Sequence, residues 1–545
     1  MRLAPVFAAV LSTSLLVLNG PAHAARPAAS PATPQVQEAP LRAHLAFLAD
    51  DLLEGRGTGQ RGGELTVRYL ETQAAAIGLK PGVGASFRQS VKMTGTSTKA
   101  TSSIRFDVGG KSYAPRLNSD ISIANATGAA EMRFDAPVVF VGYGIDAPEE
   151  KWNDYEALDV KGKLVIMMVN DPKPTAAEPD RFGGKSLTWY GRWVYKYEEA
   201  ARKGAAGVLL IHTNESASYP WSVASHNREQ FYLPGKGNQV QGWIHEDAAR
   251  ALFTATGKNL DALRAQAEVR GFKAVDLGVR AHVALDSTVR AVEQFNVVGI
   301  VPGTDPALKD QAVVYSSHWD HLGKTDSGGV DRIWNGAIDN ASGTAALLAM
   351  AQVAVQKPAR RTQVFLWPCA EEQGLLGSLA YVRQPAWPLA RTAADLNLDS
   401  MNFVGRTRDV GVAGSERSTL YASAVKVARS MGLKLAPSTP DLGGSYFRAD
   451  HFMFAKAGVP AFNVGSAVFS GDGSFEFEHD HEASSKKMTG FKERYHQTSD
   501  EYDPTWDLSG MVEQAQFTLN LGYEVANATA MPSWNKTDPL SRVKR

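Results

Sequence analysis

Acidic and histidine residues recur in a fixed order across the second half of the chain. They are His318 and Asp320 in SSHWDHLG, Asp339 in NGAIDNASG, Glu371 and Glu372 in PCAEEQGLLGS, Asp399 in LNLDSMN, and His496 in RYHQTSDEYD. Imidazole and carboxylate are ligands that zinc takes at about 2.0–2.2 Å, and a catalytic site leaves one position open for water. Two such ions about 3.5–4 Å apart share a ligand, which a carboxylate with two oxygens can supply. Asp339 is the best candidate for that bridge. One ion then takes His318 and Asp399, and the other takes Glu372 and His496. Glu371 is left unbound, where a carboxylate beside activated water serves as general base and later as acid for a leaving group.

The elements that must position these groups are legible as apolar, strand-like runs that end in turns: AVVYSSHWD, TQVFLWPCAEE and AADLNLDSMN. Open α/β sheets gather their chemistry in the crevice at the carboxyl ends of strands. Taken singly, each residue has a plainer role. Asp339 precedes the Ala-rich helical run GTAALLAMAQVAVQ, where an acid caps the helix or sits in its first turn, and Glu371 and Glu372 also open a helical segment. Asp399 alone is a strand-end turn residue, His318 a core histidine and His496 a surface loop residue. Their joint order is what favours metal.

The succession HxD, D-N-A-S-G, E-E, L-D and Y-H-x-x-x-D over residues 318–496 resembles the dizinc exopeptidases of the aminopeptidase Y and glutamate carboxypeptidase type. The resemblance implies that His318, Asp339, Glu372, Asp399 and His496 hold two zinc ions per chain and that Glu371 is the base. It implies that Asp320 keeps His318 in its ligating orientation, as partners of metal-bound imidazoles commonly do. Tyr495, next to the last ligand, matches a tyrosine that steadies the developing oxyanion in some relatives; packing against the sheet is its plainer role. GGSYFRADHFMFAKAGVPAF is similar to a segment bordering the substrate pocket, with Ala449 where Ser is usual. It offers Arg448, Asp450 and His451 as pocket-lining candidates, with scaffolding the plainer role for the last two. The implied fold is α/β, a mixed, mostly parallel sheet flanked by helices, with a smaller β-rich protease-associated domain inserted. Two further features invite other readings. FEFEHDHE at 475–482 reads as a solvated loop near the pocket mouth rather than a further cation site. Cys369, with no separate Cys and His constellation, reads as a small buried hydrophobe.

Composition sets the remaining bounds. The chain has 545 residues, 44% hydrophobic and 21% charged, which suits an ordinary globular protein of two or three domains. Zero formal net charge offers no basic surface to nucleic acid or an anionic membrane. A single cysteine excludes an internal disulfide. Arg2, an apolar stretch over residues 6–18 and Ala22-His23-Ala24 fit a secretory signal cleaved after Ala24. The apolar stretch is shorter than the roughly 20 residues that span a bilayer. The expected organisation is signal 1–24, linker 25–40, an N-terminal part of the peptidase domain 41–133 with two helical patterns, LRAHLAFLADDLLEGR and GGELTVRYLETQAAAIGL, and the protease-associated insertion 134–285. The catalytic zinc peptidase domain follows at 286–534, then a frayed tail at 535–545. The expected address is the periplasm or the medium of a bacterium, with no membrane anchor.

The chemistry and the resemblance together point to a zinc aminopeptidase acting on peptides through a metal-bridging hydroxide, with Glu371 as base. A carboxypeptidase sharing all the metal positions is the runner-up. A glutaminyl cyclase, which works with one zinc, and a binding protein that has lost catalysis fit less well, because every ligand is present. The carboxylate-rich edge of the site suits a cationic amino terminus, and Arg448 is the one obvious cation for a terminal carboxylate. Amidating a substrate's carboxyl end is therefore expected to matter little. Nothing in the sequence speaks to oligomeric state.

Overall fold

The computed structural model describes residue 1 and residues 34–545, apart from 218, 226–228, 236, 327–328, 438, 466–475 and 479–480. The expected signal segment and most of the linker fall outside these residues. Contacts divide the chain after Gln35; the described residues before that point, 1 and 34–35, have no regular structure, and the account below concerns Val36–Arg545.

Helix α1 (Glu38–Leu48) buries Leu41, Leu45 and Leu48, the spacing of one helical face. The sequence pattern extends this helix to Arg56, but the structure ends it at Leu48. Asp50 accepts a hydrogen bond from the Leu52 N–H, and Glu54, Gly55 and Arg56 all take positive φ, at 49°, 67° and 52°. At Gly55 a Cβ would lie 2.3 Å from the Trp334 carbonyl oxygen, so this approach requires glycine. The turn sends the Arg56 side chain inward. Helix α2 (Arg61–Ile77) then closes on Gly78 in the left-handed conformation.

Strands β1 (Arg88–Thr98), β2 (Ser103–Val108), β3 (Ile121–Asn125), β4 (Glu131–Phe140) and β5 (Leu164–Met168) follow, then α3 (Trp193–Arg202), β6 (Gly207–His212) and β7 (Val240–His245). The 27-residue strand β8 (Val275–Val301) joins two halves. Its first part pairs antiparallel with β4 and β2, and its last part with β1 and β10. Beyond it come β9 (Ala312–Ser316), α4 (Ser342–Gln356), β10 (Thr362–Trp367), β11 (Thr392–Asn397), β12 (Ala461–Asn463), α5 (His481–Arg494) and α6 (Ser509–Asn527).

In the catalytic half the order is β12-β11-β9-β10-β8, with the first three pairings parallel. Strands β9, β10 and β11 are buried along their whole length. That is what central parallel strands covered on both faces require. Along β9, Val313 and Tyr315 join the core beneath α1, α4 and α6, while Ala312 and Val314 join the core on the opposite face, with Phe452 and Phe454. The mixed, mostly parallel sheet flanked by helices is thus the observed fold.

The inserted lobe has its own order, β4-β5-β6-β7-β3, parallel except for the last pair. Its core includes Ile104, Phe106, Ile121 and Ile123, so its packing starts well upstream of residue 134. The end of the chain also departs from expectation, because it is docked rather than frayed. Trp534 Nε1 donates to the Gly458 carbonyl, Arg417 pairs with Asp538 at 2.7 Å, and the Arg545 guanidinium donates to the carbonyls of Gly458, Thr392 and Pro532. Among the described residues no helix is long and apolar enough to cross a membrane.

Candidate metal centre

Three neighbouring parallel strands deliver the chemistry from the same end. His318 lies just past β9, Glu371 and Glu372 past β10, and Asp399 past β11. The helix after the glutamate pair starts only at Leu376, so both acids occupy the preceding turn and neither sits in the helix's first turn. Asp339 lies in an irregular turn, Ala337–Ala341, ahead of α4, and α4 has no side-chain cap. Its carboxylate is therefore free of capping and turned to the histidines. His496 follows α5 in a left-handed backbone conformation, φ 58°.

The donor atoms interlock. His318 Nε2 stands 3.4 Å from Asp339 Oδ1 and 3.5 Å from Asp399 Oδ1, and 4.0 Å from Glu371 Oε2. His496 Nε2 stands 3.2 Å from Asp339 Oδ2 and 3.1 Å from Glu372 Oε2. Donors about 2.0–2.2 Å from a tetrahedral zinc are about 3.3–3.6 Å apart, so these separations approximate the edges of two coordination shells. Asp339 gives one oxygen to each. His318 Nε2 is also buried with no hydrogen-bond partner, which suits a nitrogen meant for an ion. The set therefore fits a pair of divalent cations.

His321 was not singled out in the sequence, although it sits in the same HWDH run. Its Nδ1 lies 2.6 Å from Glu372 Oε1, and with Asp339 and Glu372 it forms a second compact donor group beside His318, Glu371 and Asp399. His496 faces both carboxylates through one nitrogen, whereas His321 commits Nδ1 to Glu372. His321 Nε2 is, like His318 Nε2, buried with no hydrogen-bond partner, so His321 stands beside His496 as a further candidate donor.

Charge in the centre is stored as ion pairs. Burial works against ionising Asp339, yet the His318 and His496 contacts hold its carboxyl well below the usual range. Burial likewise opposes Glu372, but His496 and His321 bring it down to about 2. His496 rises to about 10 against burial because Glu372 and Asp339 face it. Burial pushes Glu371 well above the ordinary value, with Glu372 and Asp399 repelling its charge despite His318. Metal binding at these imidazoles would displace any proton they carry.

The supporting residues do not all act as expected. The Asp320 carboxylate is 3.8 Å from His318 Nδ1; it accepts instead from the Glu371 N–H at 3.0 Å. It is the Asp320 main-chain carbonyl that faces His318 Nδ1, at 3.1 Å. Asp320 therefore fixes the backbone of Glu371 with its side chain and the imidazole with its carbonyl. Tyr495 is half-buried and stacks on His496, ring centroids 3.8 Å apart, which steadies that imidazole. Asp500, inside the quoted RYHQTSDEYD, accepts from the N–H groups of Ile338 and Asp339 and so holds the turn under the central carboxylate. Asn340 bonds Ser317 Oγ and the Leu398 carbonyl through Nδ2 and accepts from Gly343 and Ser400, tying the ends of β9 and β11 together.

Arg56 lies in the loop GRGTGQRGG and is 1% exposed. Its guanidinium donates to the carbonyls of Leu48, Trp319, Asn335 and Gly336, the chain on either side of the donor cluster. Burial lowers it to about 10, while Asp500, Asp339, Asp320 and Glu372 oppose that fall. Replacing it with leucine orphans buried acceptors at about 1–3 kcal/mol each. Arg56→Leu is thus expected to cost about 3 kcal/mol or more, read as a lowered denaturant midpoint. A midpoint within error of the parent would count against this role.

The other pocket candidates separate. Arg448 is exposed and donates from Nε to the Gly443 carbonyl at 3.2 Å. Asp450 and His451 are buried, and burial pushes Asp450 up to about 7 and His451 down to about 3. His451 packs on Tyr446, centroids 4.9 Å apart, a scaffolding position. In the 475–482 run, Phe477 is buried, Glu476 pairs with Lys434, and Glu482 lies in α5; Phe475, His479 and Asp480 lie outside the described residues. Cys369 is buried.

Residues 296–519 match the model of Peptidase family M28. The chain is 26% identical over 352 residues to aminopeptidase YwaD of Bacillus subtilis, an alignment covering 63% of this chain and 61% of that protein's length. It is 26% identical over 390 residues to leucine aminopeptidase 1 of Pyrenophora tritici-repentis, covering 66% of this chain and 92% of the relative. Its fold is similar to that of the solved aminopeptidase from Aneurinibacillus sp. strain AM-1, with a TM-score of 0.50 and 17% identity, covering 91% of this chain and 96% of that one.

Proposed function

We propose, from the match of residues 296–519 to the model of Peptidase family M28, that the chain is an exported aminopeptidase holding two zinc ions, which removes residues from the amino end of peptides. One observation carries the proposal: the two oxygens of Asp339 face two different imidazole nitrogens, His318 Nε2 and His496 Nε2, at 3.4 and 3.2 Å. His318, Asp339 and Asp399 would hold one ion, and Asp339, Glu372 and His496 the other. The family match and the two curated aminopeptidase relatives support the reading.

When bound, the cation pair supplies Lewis acidity at the scissile carbonyl and makes hydroxide available near neutral pH. Glu371 accepts the proton from the attacking water and hands it to the departing amine. The Asp320 bond to the Glu371 N–H keeps that carboxylate in place. Glu371, Asp399 and their neighbours also form an acidic edge that attracts a protonated amino terminus and sets the first peptide carbonyl over the centre. Export is supported by the apolar leader pattern at 1–24, and the inserted lobe would act on substrate access.

A panel of short peptides tests the polarity of cleavage. Acetylating the amino terminus is expected to abolish hydrolysis, with single residues released in order from the amino end of the unblocked peptide. Release from the carboxyl end, or undiminished cleavage of the acetylated peptide, transfers the reading to a carboxypeptidase.

A further inference from the structure

The pairing of β8 with β10 ends at Val297, opposite Trp367. The chain of β10 then reaches Pro368, which has no N–H to continue the ladder. Asn296, fully buried, continues the contact with its side chain. Its Oδ1 accepts the Cys369 N–H at 3.0 Å, and its Nδ2 donates to the Gly377 carbonyl and to Gln89 Oε1, both at 2.9 Å. Gln89 is the β1 residue paired with Asn296, and its own Nε2 donates to the Gln384 carbonyl at 2.6 Å. One residue back, the Phe295 carbonyl accepts from the Trp319 indole at 3.0 Å, and the Trp319 N–H donates to the Pro368 carbonyl at 3.0 Å. The end of β8 therefore grips the turns that follow both β9 and β10.

The two anchors, Cys369 and Gly377, bracket the turn that carries Glu371 and Glu372. Ala370, Gly374 and Leu375 in this turn take φ of 53°, 101° and 61°. Residues with side chains keep a left-handed conformation only where their surroundings over-determine it. The Gly374 and Leu375 N–H groups donate to the Glu371 carbonyl at 2.9 Å each, and the Leu376 N–H to the Ala370 carbonyl at 3.0 Å. Those bonds shape the turn; its placement comes from Asn296 and from Asp320, which accepts the Glu371 N–H at 3.0 Å. The fit is close, since a Cβ on Gly377 would lie 2.1 Å from the Cys369 carbonyl oxygen and 2.6 Å from Asn296 Oδ1. The two glutamates depend on this placement differently. Glu372 is also met from the side by His321 Nδ1 at 2.6 Å and His496 Nε2 at 3.1 Å. Glu371 Oε2 stands 4.0 Å from His318 Nε2, so its position is set mainly by its own backbone.

We infer that Asn296 is a positioning residue for Glu371: its amide closes the 369–377 turn and so sets the carboxylate where it can take a proton, without itself touching substrate. The inference rests on the general-base role proposed above for Glu371. Proton transfer needs heavy atoms within about 2.6–3.2 Å of each other, and a displacement of about 1 Å can cost on the order of 10²-fold in rate. Glu372, held by two imidazoles, tolerates slack in the same turn better. The signature of Asn296 is therefore loss of turnover with zinc retained.

Two measurements on the full-length protein test it. In the first, hydrogen exchange of the metal-free protein is followed by mass spectrometry. Asn296→Ala is expected to speed exchange in the 369–377 segment about 10-fold, the scale of one buried hydrogen bond, with α6 and the strands of the inserted lobe unchanged. In the second, zinc-loaded parent, Asn296→Ala, Glu371→Gln and the double variant are assayed on Leu-Ala amide. Asn296→Ala is expected to lower kcat about 10- to 100-fold, with KM and zinc per chain at the parent values. In the Glu371→Gln background the same change should cost less than about twofold, because two residues that act through one group are not additive. If Asn296→Ala does not fold, Gln89→Leu removes only the partner that orients the amide and is expected to give the same pattern at about threefold. Unchanged exchange in the 369–377 segment overturns the clamp. Losses that add across the two variants, or a fall in zinc content that matches the fall in kcat, overturn the positioning role. Glu371→Gln at parent activity is instead the failure of the base reading, told apart because Asn296 is intact in that variant, and it takes the inference with it.

Discussion

Glu371→Gln is expected to lower kcat roughly 10²-fold or more while zinc content stays at the parent level. The competing role for Glu371 is ligation, since it shares a compact donor group with His318 and Asp399. Distance separates the two roles. Glu371 Oε2 is 4.0 Å from His318 Nε2, farther than the oxygens of Asp339 and Asp399 at 3.4 and 3.5 Å. Glutamine keeps the shape and the main-chain bond to Asp320 but cannot take a proton from water. The pH profile adds a second reading. A base must be ionised to act, so kcat/KM falls as pH is lowered and Glu371 is protonated, and the Gln variant should lose that acid limb. Glu372→Gln should do the reverse and lower zinc occupancy, because His496 and His321 both address that carboxylate. Exchanged phenotypes in metal analysis would show the pair misassigned.

The parts of the site that could be read in the sequence are those whose position follows from local pattern. Strands β9, β10 and β11 are continuous apolar runs, and parallel strands must present their next residues at one end, so His318, the Glu371 and Glu372 pair and Asp399 come together from topology alone. In the sequence Arg56 is only the last residue of the helical pattern LRAHLAFLADDLLEGR. Its role depends on four carbonyls from residues 48, 319, 335 and 336, a convergence no local window contains. Local pattern also overran in α1, where apolar Leu52 and Leu53 continue the helical face. Asp50 competes for the backbone there, and Leu52 ends up 69% exposed. His321 lay in plain view within HWDH, and its signal was a second histidine three residues beyond the first on the same strand-end turn.

Asp339→Asn should remove more than one ion's worth of zinc. The two carboxylate oxygens of Asp339 point at separate imidazole nitrogens, whereas an amide offers a single oxygen and a nitrogen that donates. The turn itself should survive the change, because Asp500 holds it through the Ile338 and Asp339 N–H groups at 3.1 Å each, and Asn occupies nearly the same volume. The loss is therefore one of ligand character and not of folding. Losing a residue that merely orients a ligand typically weakens metal binding about 10–100-fold, and a bridge serves both ions, so a fall of about 100-fold or more in affinity for each is expected, with activity falling accordingly. Asp399→Asn supplies the control, since His318 is the imidazole that side chain faces, and the change should weaken one ion while leaving the other in place. Zinc per chain, measured after dialysis against a competing chelator of known affinity, separates the cases: two ions retained in Asp339→Asn, or the same single-ion loss in both variants, would exclude Asp339 as the shared ligand.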